Sequence, residues 1–159
     1  MTTPAERQQR IASIAALPDA LAAVVAGLGD AELDARAADD PWTARQVTHH
    51  IADSHINAFI RMKLMLTEPH PTLKPYDQDA WAQLADTQST PVDATLALLR
   101  GLHARWVRLL EALGEEEWSR GAYHPENGEV TLDGMLATYA RHGEEHVEQI
   151  RGILQSASR

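Results

Sequence analysis

Two histidines one helical turn apart, near the C-terminus, are the residues of this sequence best suited to chemistry. His142 and His146 are four positions apart, so on a helix both imidazoles project from one face about one turn apart. Such a pair can reach a single divalent ion, which binds imidazole nitrogen at roughly 2.1 Å. The same spacing also fits two exposed histidines or a hydrogen-bonded core pair, so the pair alone does not establish a metal site.

A third histidine on another helix would complete a metal site, and His50 is the natural candidate. It lies seven residues after Thr43, where we predict a helix to begin, and His146 lies nine residues before the predicted end of the last helix at Gln155. If the two helices are antiparallel, these imidazoles lie at nearly the same height. His103 fits less well, since its predicted position is roughly 9 Å away along the bundle; we interpret it as a hydrogen-bonded core histidine.

Further polar side chains follow the same predicted helix faces and interrupt otherwise apolar stripes. Burying them unpaired would cost several kcal/mol, so they must contact each other, water or a ligand. We predict that Asn57 and Arg61 bind an anionic substrate and that Tyr139 donates a hydrogen bond in the same cavity. The alternatives are a salt bridge from Arg61 to Glu144 or Glu145, and a tyrosine that only packs in the core.

Asp53 lies about one turn after His50, and we predict that its carboxylate orients an imidazole ligand; a solvated carboxylate is the alternative.

The segment HGEEH is not a zincin motif, because Gly143 stands where that motif requires a glutamate as general base. The remaining histidines are predicted to lie on the surface or in loops: His49, His55, His70 and His124.

The elements that must position these residues are four helices, predicted over residues 3–29, 43–68, 90–114 and 131–155. Thr3 and Pro4 are typical of a helix start, and Pro18 is expected to break or restart the first helix. Thr43 and Gln46 form a capping box, T-x-x-Q, at the start of the second helix. No strand-like alternation is long enough to compete with helix, and residues 123–130 are predicted to be a loop.

The connection over residues 69–90 is long enough to decide the topology. A second helix of about 26 residues spans about 39 Å, which about a dozen extended residues can cover. The connection exceeds this length and includes one predicted short helix near Trp81, so the second and third helices can run parallel. We therefore predict an all-α single domain over residues 1–159: a four-helix bundle, up-down-down-up, with one crossover.

Composition excludes several classes of function. The chain has no cysteine, which rules out disulfides, thiolate ligands and a cysteine nucleophile. A net charge of -9 argues against nucleic-acid binding. The sequence has neither an apolar signal-peptide core nor a run of 18 apolar residues, so a cytoplasmic protein with no membrane partner is expected.

Long segments of this sequence resemble the YfiT-like branch of the DinB superfamily: WTARQVTHHIADSHINAFIRMKLMLTE, KPYDQDAWAQL, LHARWVRLL and YHPENGEVTLDGMLATYARHGEEHVEQI. The resemblance covers about residues 18–154. It implies a DinB-type bundle, usually a homodimer, with one divalent metal ion, zinc or nickel, held by His50, His142 and His146. It also implies a metal-dependent hydrolase or a thiol S-transferase that uses bacillithiol, and no DNA binding.

Three histidine ligands leave an open coordination position, which is typical of catalytic rather than structural sites. We favour S-transfer, in which the metal would stabilise an incoming thiolate and present it to an electrophile, with Arg61 and Asn57 holding polar groups of the thiol. Hydrolysis by metal-bound water is the alternative, although no residue is an evident general base. A non-enzymatic metal-binding stress protein is the third possibility.

Overall fold

Four long helices make up most of residues 2–157, the part of the chain that the computed structural model describes. In chain order the elements are α1 (Pro4–Val25), α2 (Asp30–Leu33), α3 (Ala44–Thr67), α4 (Gln78–Ala82), α5 (Ala85–Ser89), α6 (Val92–Glu111), a 3-10 helix (Glu115–Ser119), β1 (Gly121–His124), β2 (Gly128–Thr131) and α7 (Leu132–Ala157). The bundle consists of α1, α3, α6 and α7, and the short elements cover its sides.

Contacts between the long helices show their relative directions. In a parallel pair of helices, the residue numbers at the contacts increase in the same direction along both helices. Between α3 and α6, His49 contacts Thr95 and His55 contacts His103. Between α1 and α7, Arg7 contacts Asp133 and Leu17 lies beside Gly143. In an antiparallel pair, the residue numbers increase along one helix and decrease along the other. Between α3 and α7, Ser54 contacts His142 and Arg61 contacts Tyr139. Between α1 and α6, Ile14 contacts His103 and Asp19 contacts Arg100. The predicted up-down-down-up bundle, with its crossover between α3 and α6, is confirmed.

The predicted capping residues begin α1 and α3. Thr3 precedes Pro4, and its side chain accepts a hydrogen bond from the backbone N–H of Glu6. Thr43 Oγ1 accepts from the N–H of Gln46 at 3.2 Å, and Gln46 Oε1 accepts from the N–H of Thr43 at 2.9 Å. Each capping box satisfies two N–H groups that a helix start otherwise leaves without partners.

The predicted break at Pro18 is wrong, because α1 continues through it as one helix. A proline inside a helix removes one hydrogen bond and costs about 3 kcal/mol. Here the proline itself is buried, and the residues on either side of it, Ile14, Leu17 and Leu21, are at most 4% exposed. Packing of this apolar face against α6 and α7 offsets the cost, since burying each such side chain contributes about 1.5–3 kcal/mol.

The segment predicted as a loop over residues 123–130 lies within a β-hairpin. Strands β1 and β2 pair antiparallel, from Gly121 opposite Thr131 to His124 opposite Gly128. Gly128 has φ +72, which glycine adopts without strain. The connection after α3 joins this hairpin, since the N–H of Leu73 donates to the carbonyl of Tyr123 at 2.8 Å. Strands of four residues are too short to produce a detectable alternation, which is why the sequence did not indicate them.

A glycine sets the spacing between α1 and α7. A Cβ at Gly143 would lie 2.5 Å from Leu17 Cδ2, so a larger residue fits here only if the Leu17 side chain or α1 moves. The residue that excluded a zincin motif is therefore a packing residue.

Within residues 2–157, every helix is too short or too polar to cross a membrane.

Candidate metal centre

The antiparallel helices α3 and α7 bring three histidines together in the middle of the bundle. One ring nitrogen each of His50, His142 and His146 lies within 4.8 Å of the other two. The ring centroids are 4.3 Å apart for His142 and His146. The His50 centroid lies 5.4 Å from that of His142 and 4.9 Å from that of His146. No other group of three histidine or carboxylate side chains in residues 2–157 converges in this way.

Burial keeps two of these imidazoles, those of His50 and His142, in the form that binds metal. It lowers the pKa of His50 to about 4, with a further contribution from the charge of His146. Burial likewise lowers the pKa of His142 to about 3, helped by His146 and His50. Both side chains are therefore neutral near pH 7, and the neutral imidazole is the ligand form.

His146 is held by a chain of two hydrogen bonds that the sequence did not predict. Gln149 donates from Nε2 to Asp40 Oδ2 at 2.6 Å, and its Oε1 lies 2.6 Å from His146 Nδ1. Because an amide oxygen only accepts, Nδ1 of His146 carries the proton, which leaves Nε2 free to face the centre. Such partners fix the tautomer and orientation of metal-binding histidines.

The donor set fits a divalent cation. Nε2 of His146 lies 3.1 Å from Nε2 of His142, and two facing imidazole nitrogens need a proton or a cation between them. Three imidazole nitrogens suit a divalent transition metal, and fewer than four protein ligands leave a coordination position open. Trp42 packs on His50 at 4.7 Å between ring centroids, and Ser54 Oγ lies 3.4 Å from His142 Nε2.

A polar cavity of about 600 Å³ adjoins the centre at His142 and Ser54. Its wall includes two of the three residues predicted to bind substrate, Arg61 and Tyr139. The α3–α4 connection, the start of α4 and the hairpin contribute the others: Pro75, Tyr76, Asp77, Gln78, His124, Glu126 and Asn127. Loops therefore form the rim of the cavity, and the bundle forms its floor.

Arg61 is a buried cation without a carboxylate partner in residues 2–157. It is 8% exposed, donates from Nη2 to the carbonyl of Lys74 at 2.5 Å and lies 3.4 Å from Tyr139 Oη. The alternative salt bridge to Glu144 or Glu145 is absent from this part of the chain. Neutral partners leave the guanidinium charge uncompensated, and a buried charge of this kind favours an anionic ligand.

Two further cavity residues were missed in the sequence. Burial raises the pKa of Tyr76 to about 12, so its hydroxyl remains a donor at neutral pH. His124 is 5% exposed, and its pKa is lowered by burial and then by Arg61. Tyr76 lies in the long connection and His124 at the end of β1, where no helical periodicity could indicate them.

Two predicted site residues do not reach the cavity. The amide of Asn57 donates to the carbonyl of Asp53 at 2.8 Å, and Asn57 is not part of the cavity wall. The pKa of Asp53 is raised to about 6 by burial and by Asp86, and its carboxylate makes no hydrogen bond to an imidazole of residues 2–157. The structure thus provides no contact that supports either predicted role. Gln149, rather than Asp53, contacts one of the predicted metal-binding histidines, His146.

Three of the four histidines predicted on the surface are buried, while His70 is exposed and pairs with Glu129. His49 lies between α3 and α6, with Nδ1 2.6 Å from Thr95 Oγ1. His55 is fully buried, and its Nδ1 lies 3.0 Å from Nε2 of His103. Burial lowers the pKa of His49, His55 and His103. His103 is the hydrogen-bonded core histidine that the sequence predicted.

Comparison with known proteins places this geometry in a family. The family model for the DinB superfamily matches residues 13–150. This chain belongs to the DinB superfamily. It is 43% identical over 135 residues to "Putative metal-dependent hydrolase YfiT" of Bacillus subtilis (strain 168), covering 84% of this chain and 76% of that protein. A "Putative metal-dependent hydrolase" of Geobacillus thermodenitrificans (strain NG80-2) is 44% identical over 145 residues, 90% of this chain and 81% of the relative.

Solved structures agree on the fold. YfiT from Bacillus subtilis, described as "a probable metal-dependent hydrolase with an unusual four-helix bundle topology", superposes with a TM-score of 0.93 at 38% identity, over 96% of this chain and 88% of that one. The mycothiol-dependent maleylpyruvate isomerase has the same fold with a TM-score of 0.72 at 18% identity, over 94% of this chain and 63% of that chain. The metal-dependent relatives and the three-histidine cluster together support a metal site.

Proposed function

We propose that this protein is a metal-dependent S-transferase that joins a low-molecular-weight thiol of the bacillithiol type to an electrophile. One observation carries the proposal: three convergent histidines, of which burial keeps His50 and His142 neutral, adjoin a cavity whose wall holds the uncompensated cation of Arg61. A metal centre beside a buried cation suits a substrate that has both a metal-binding atom and an anionic group.

His50, His142 and His146 would hold the ion, zinc or nickel, and Gln149 would keep His146 oriented toward it. Bound there, the ion would supply the positive charge that lowers the pKa of a thiol and favours its thiolate. The sulfur would then attack the electrophile, the leaving group would depart with the bonding electrons, and the thiol proton would pass to solvent.

The cavity wall would position the thiol molecule by binding the acidic groups of that molecule. Arg61 presents a guanidinium, which binds carboxylates by charge-assisted hydrogen bonds. Tyr139 and Tyr76 line the same wall, and their hydroxyls can donate to the same ligand. Because the chain contains no cysteine, no protein thiol would compete for the ion or for the electrophile.

Hydrolysis is the second candidate, and the names of the 43–44% identical relatives favour it. General-base catalysis requires a base within hydrogen-bonding reach, directly or through one water. In residues 2–157, Asp40 contacts Gln149 rather than the cavity. Asp77 and Glu126 line the cavity, but their carboxylates are not part of the cluster formed by the three histidines. A thiol ionises more readily than water and needs no such base, which is why we favour S-transfer.

The first experiment tests the chemistry. Zinc-loaded and nickel-loaded protein is incubated with monochlorobimane and either bacillithiol, cysteine or 2-mercaptoethanol. We expect conjugation above the buffer rate that is fastest with bacillithiol. Ester or amide turnover without conjugation would establish hydrolysis instead, and no turnover of either kind would indicate a metal-binding protein. The predicted homodimer remains a prediction that sedimentation velocity can check.

The second experiment tests the role of Arg61. In Arg61→Gln we expect KM for bacillithiol to rise about tenfold or more, with little change in KM for 2-mercaptoethanol, which has no carboxylate. Arg120→Gln is the matched control, because Arg120 donates to the carbonyls of Met65 and Glu68 and lies outside the cavity wall. Equal loss with both thiols would contradict an anion-binding role.

A further inference from the structure

A row of imidazoles leads from the backbone of α1 to the metal centre. His103 Nδ1 lies 2.6 Å from the carbonyl oxygen of Ile14, and His103 Nε2 lies 3.0 Å from His55 Nδ1. The rings of His55 and His103 are nearly parallel, with an interplanar angle of 2° and centroids 5.1 Å apart. On its other side, the His55 ring lies 5.5 Å from the ring of His142, measured between centroids.

The carbonyl at one end fixes every proton along this row. A carbonyl only accepts, so Nδ1 of His103 must carry a proton, and neutral His103 then accepts at Nε2. His55 must therefore donate from Nδ1, which leaves its Nε2 as a lone pair. That Nε2 is buried without a hydrogen-bond partner in residues 2–157, and so is Nδ1 of His142, in the ring next to it.

The two unpartnered atoms become complementary when His142 binds a cation. If a proton lies between Nε2 of His142 and Nε2 of His146, it belongs to His142, because the Gln149 contact leaves His146 Nε2 as an acceptor. Nδ1 of His142 is then a lone pair, as is Nε2 of His55 in the neighbouring ring, so neither atom can donate to the other. With a cation on Nε2 of His142, the proton of the neutral ring is on Nδ1, which becomes a donor.

We propose that His55 and His103 are positioning residues for the metal ligand His142: its Nδ1–H donates to Nε2 of His55, and the row of hydrogen bonds continues to the carbonyl of Ile14. The proton of His142 changes from Nε2 to Nδ1 on loading, so the charge of the ring is unchanged. The inference rests on the metal centre of the proposed function. A buried donor left without a partner is destabilising, and Nε2 of His55 would provide that partner.

Substitutions at His55 separate this role from packing. In His55→Gln the amide oxygen can stand near the position of Nε2 and accept from His142, whereas the shorter His55→Asn can keep only the contact to His103. We expect zinc affinity, measured by competition with a chromophoric chelator, to fall 10–100-fold in His55→Asn, as for loss of other partners of metal ligands. We expect His55→Gln to bind within a few fold of wild type.

His49→Asn is the matched control, since His49 is also buried on α3 and contacts α6 through Thr95, away from His142. It should bind zinc as wild type does. Equal affinity in His55→Asn and wild type would overturn the proposal, as would an equal loss in His49→Asn. If wild type itself binds no zinc, the metal centre fails.

Nitrogen NMR of the histidine rings tests the proton positions in wild type and needs no variant. We expect His55 and His103 to carry their protons on Nδ1 with and without zinc, and His142 to change from Nε2–H to Nδ1–H on loading. A proton on Nε2 of His55 would overturn the proposal even if His55→Asn fails to fold.

Discussion

Replacing Gly143 by alanine tests whether close packing of α1 on α7 depends on a missing side chain. The new Cβ would lie 2.5 Å from Leu17 Cδ2, 3.0 Å from its Cδ1 and 3.2 Å from its Cγ. Leu17 is 4% exposed, so a new rotamer has to fit among packed neighbours or in the surface cavity between α1 and α7 that Leu17 lines. Either its rotamer or the position of α1 must change, and overpacking of this kind costs about 1–3 kcal/mol.

Alanine also has a higher helix propensity than glycine, by about 1 kcal/mol. The net expectation for Gly143→Ala is a loss of about 0–2 kcal/mol in the free energy of unfolding. Gly152→Ala provides the control on the same helix, because nothing lies within 4 Å of its added Cβ. That variant should gain about 1 kcal/mol. The two variants should therefore differ by about 1–3 kcal/mol, or roughly 2–12 °C in Tm at this chain length.

Urea and thermal unfolding in the presence of EDTA measure both variants without a contribution from bound metal. In a Leu17→Ala background the clashing atoms are gone, so Gly143→Ala should become stabilising by about 1 kcal/mol. Similar effects of Gly143→Ala and Gly152→Ala, or no change of sign with Leu17→Ala, would refute the packing role of Gly143.

Three further predictions concern pH, ligand orientation and a helix start. The lowered pKa values of His50, about 4, and His142, about 3, mean that the unfolded chain takes up protons below about pH 6.5 while the folded chain does not. Stability without metal is therefore full above that pH and lost as pH falls toward 4, which urea unfolding at pH 7 and 5 can measure; His142→Gln should flatten this dependence. Gln149→Leu should weaken zinc binding 10–100-fold, because His146 loses the partner that orients it. An unchanged zinc affinity in a chelator competition assay would contradict this prediction. Thr43→Ala should cost about 1 kcal/mol in unfolding free energy, through loss of the cap of α3; an unchanged denaturation midpoint would exclude this.

Features decided within a few residues were predictable from the sequence. The cap formed by Thr43 and Gln46 is complete in four residues, and the one-turn spacing of His142 and His146 fixes their common face on any helix. The topology followed from the length of one connection. These local signals, with antiparallel packing, were sufficient to place His50 at the same height as the pair.

The sequence could not indicate features that depend on contacts between distant elements. His55 was predicted on the surface because α3 was expected to bury one face, but α3 is enclosed by α6, α7 and short helices and buries residues around most of its circumference. Asp40 orients the centre through Gln149, 109 positions away along the chain. The expected partner, Asp53, was chosen by sequence proximity, whereas the observed partner follows from packing.

The cavity combines two kinds of structure with different tolerance to mutation. The three histidines lie on rigid helices whose packing leaves little freedom, while the rim consists of the α3–α4 connection and a short hairpin, joined through Leu73 and Tyr123. Loop residues of this kind accept substitutions and insertions at low cost in stability. Evolution could therefore change the substrate by altering the rim alone, so that relatives with the same metal ligands diverge in activity.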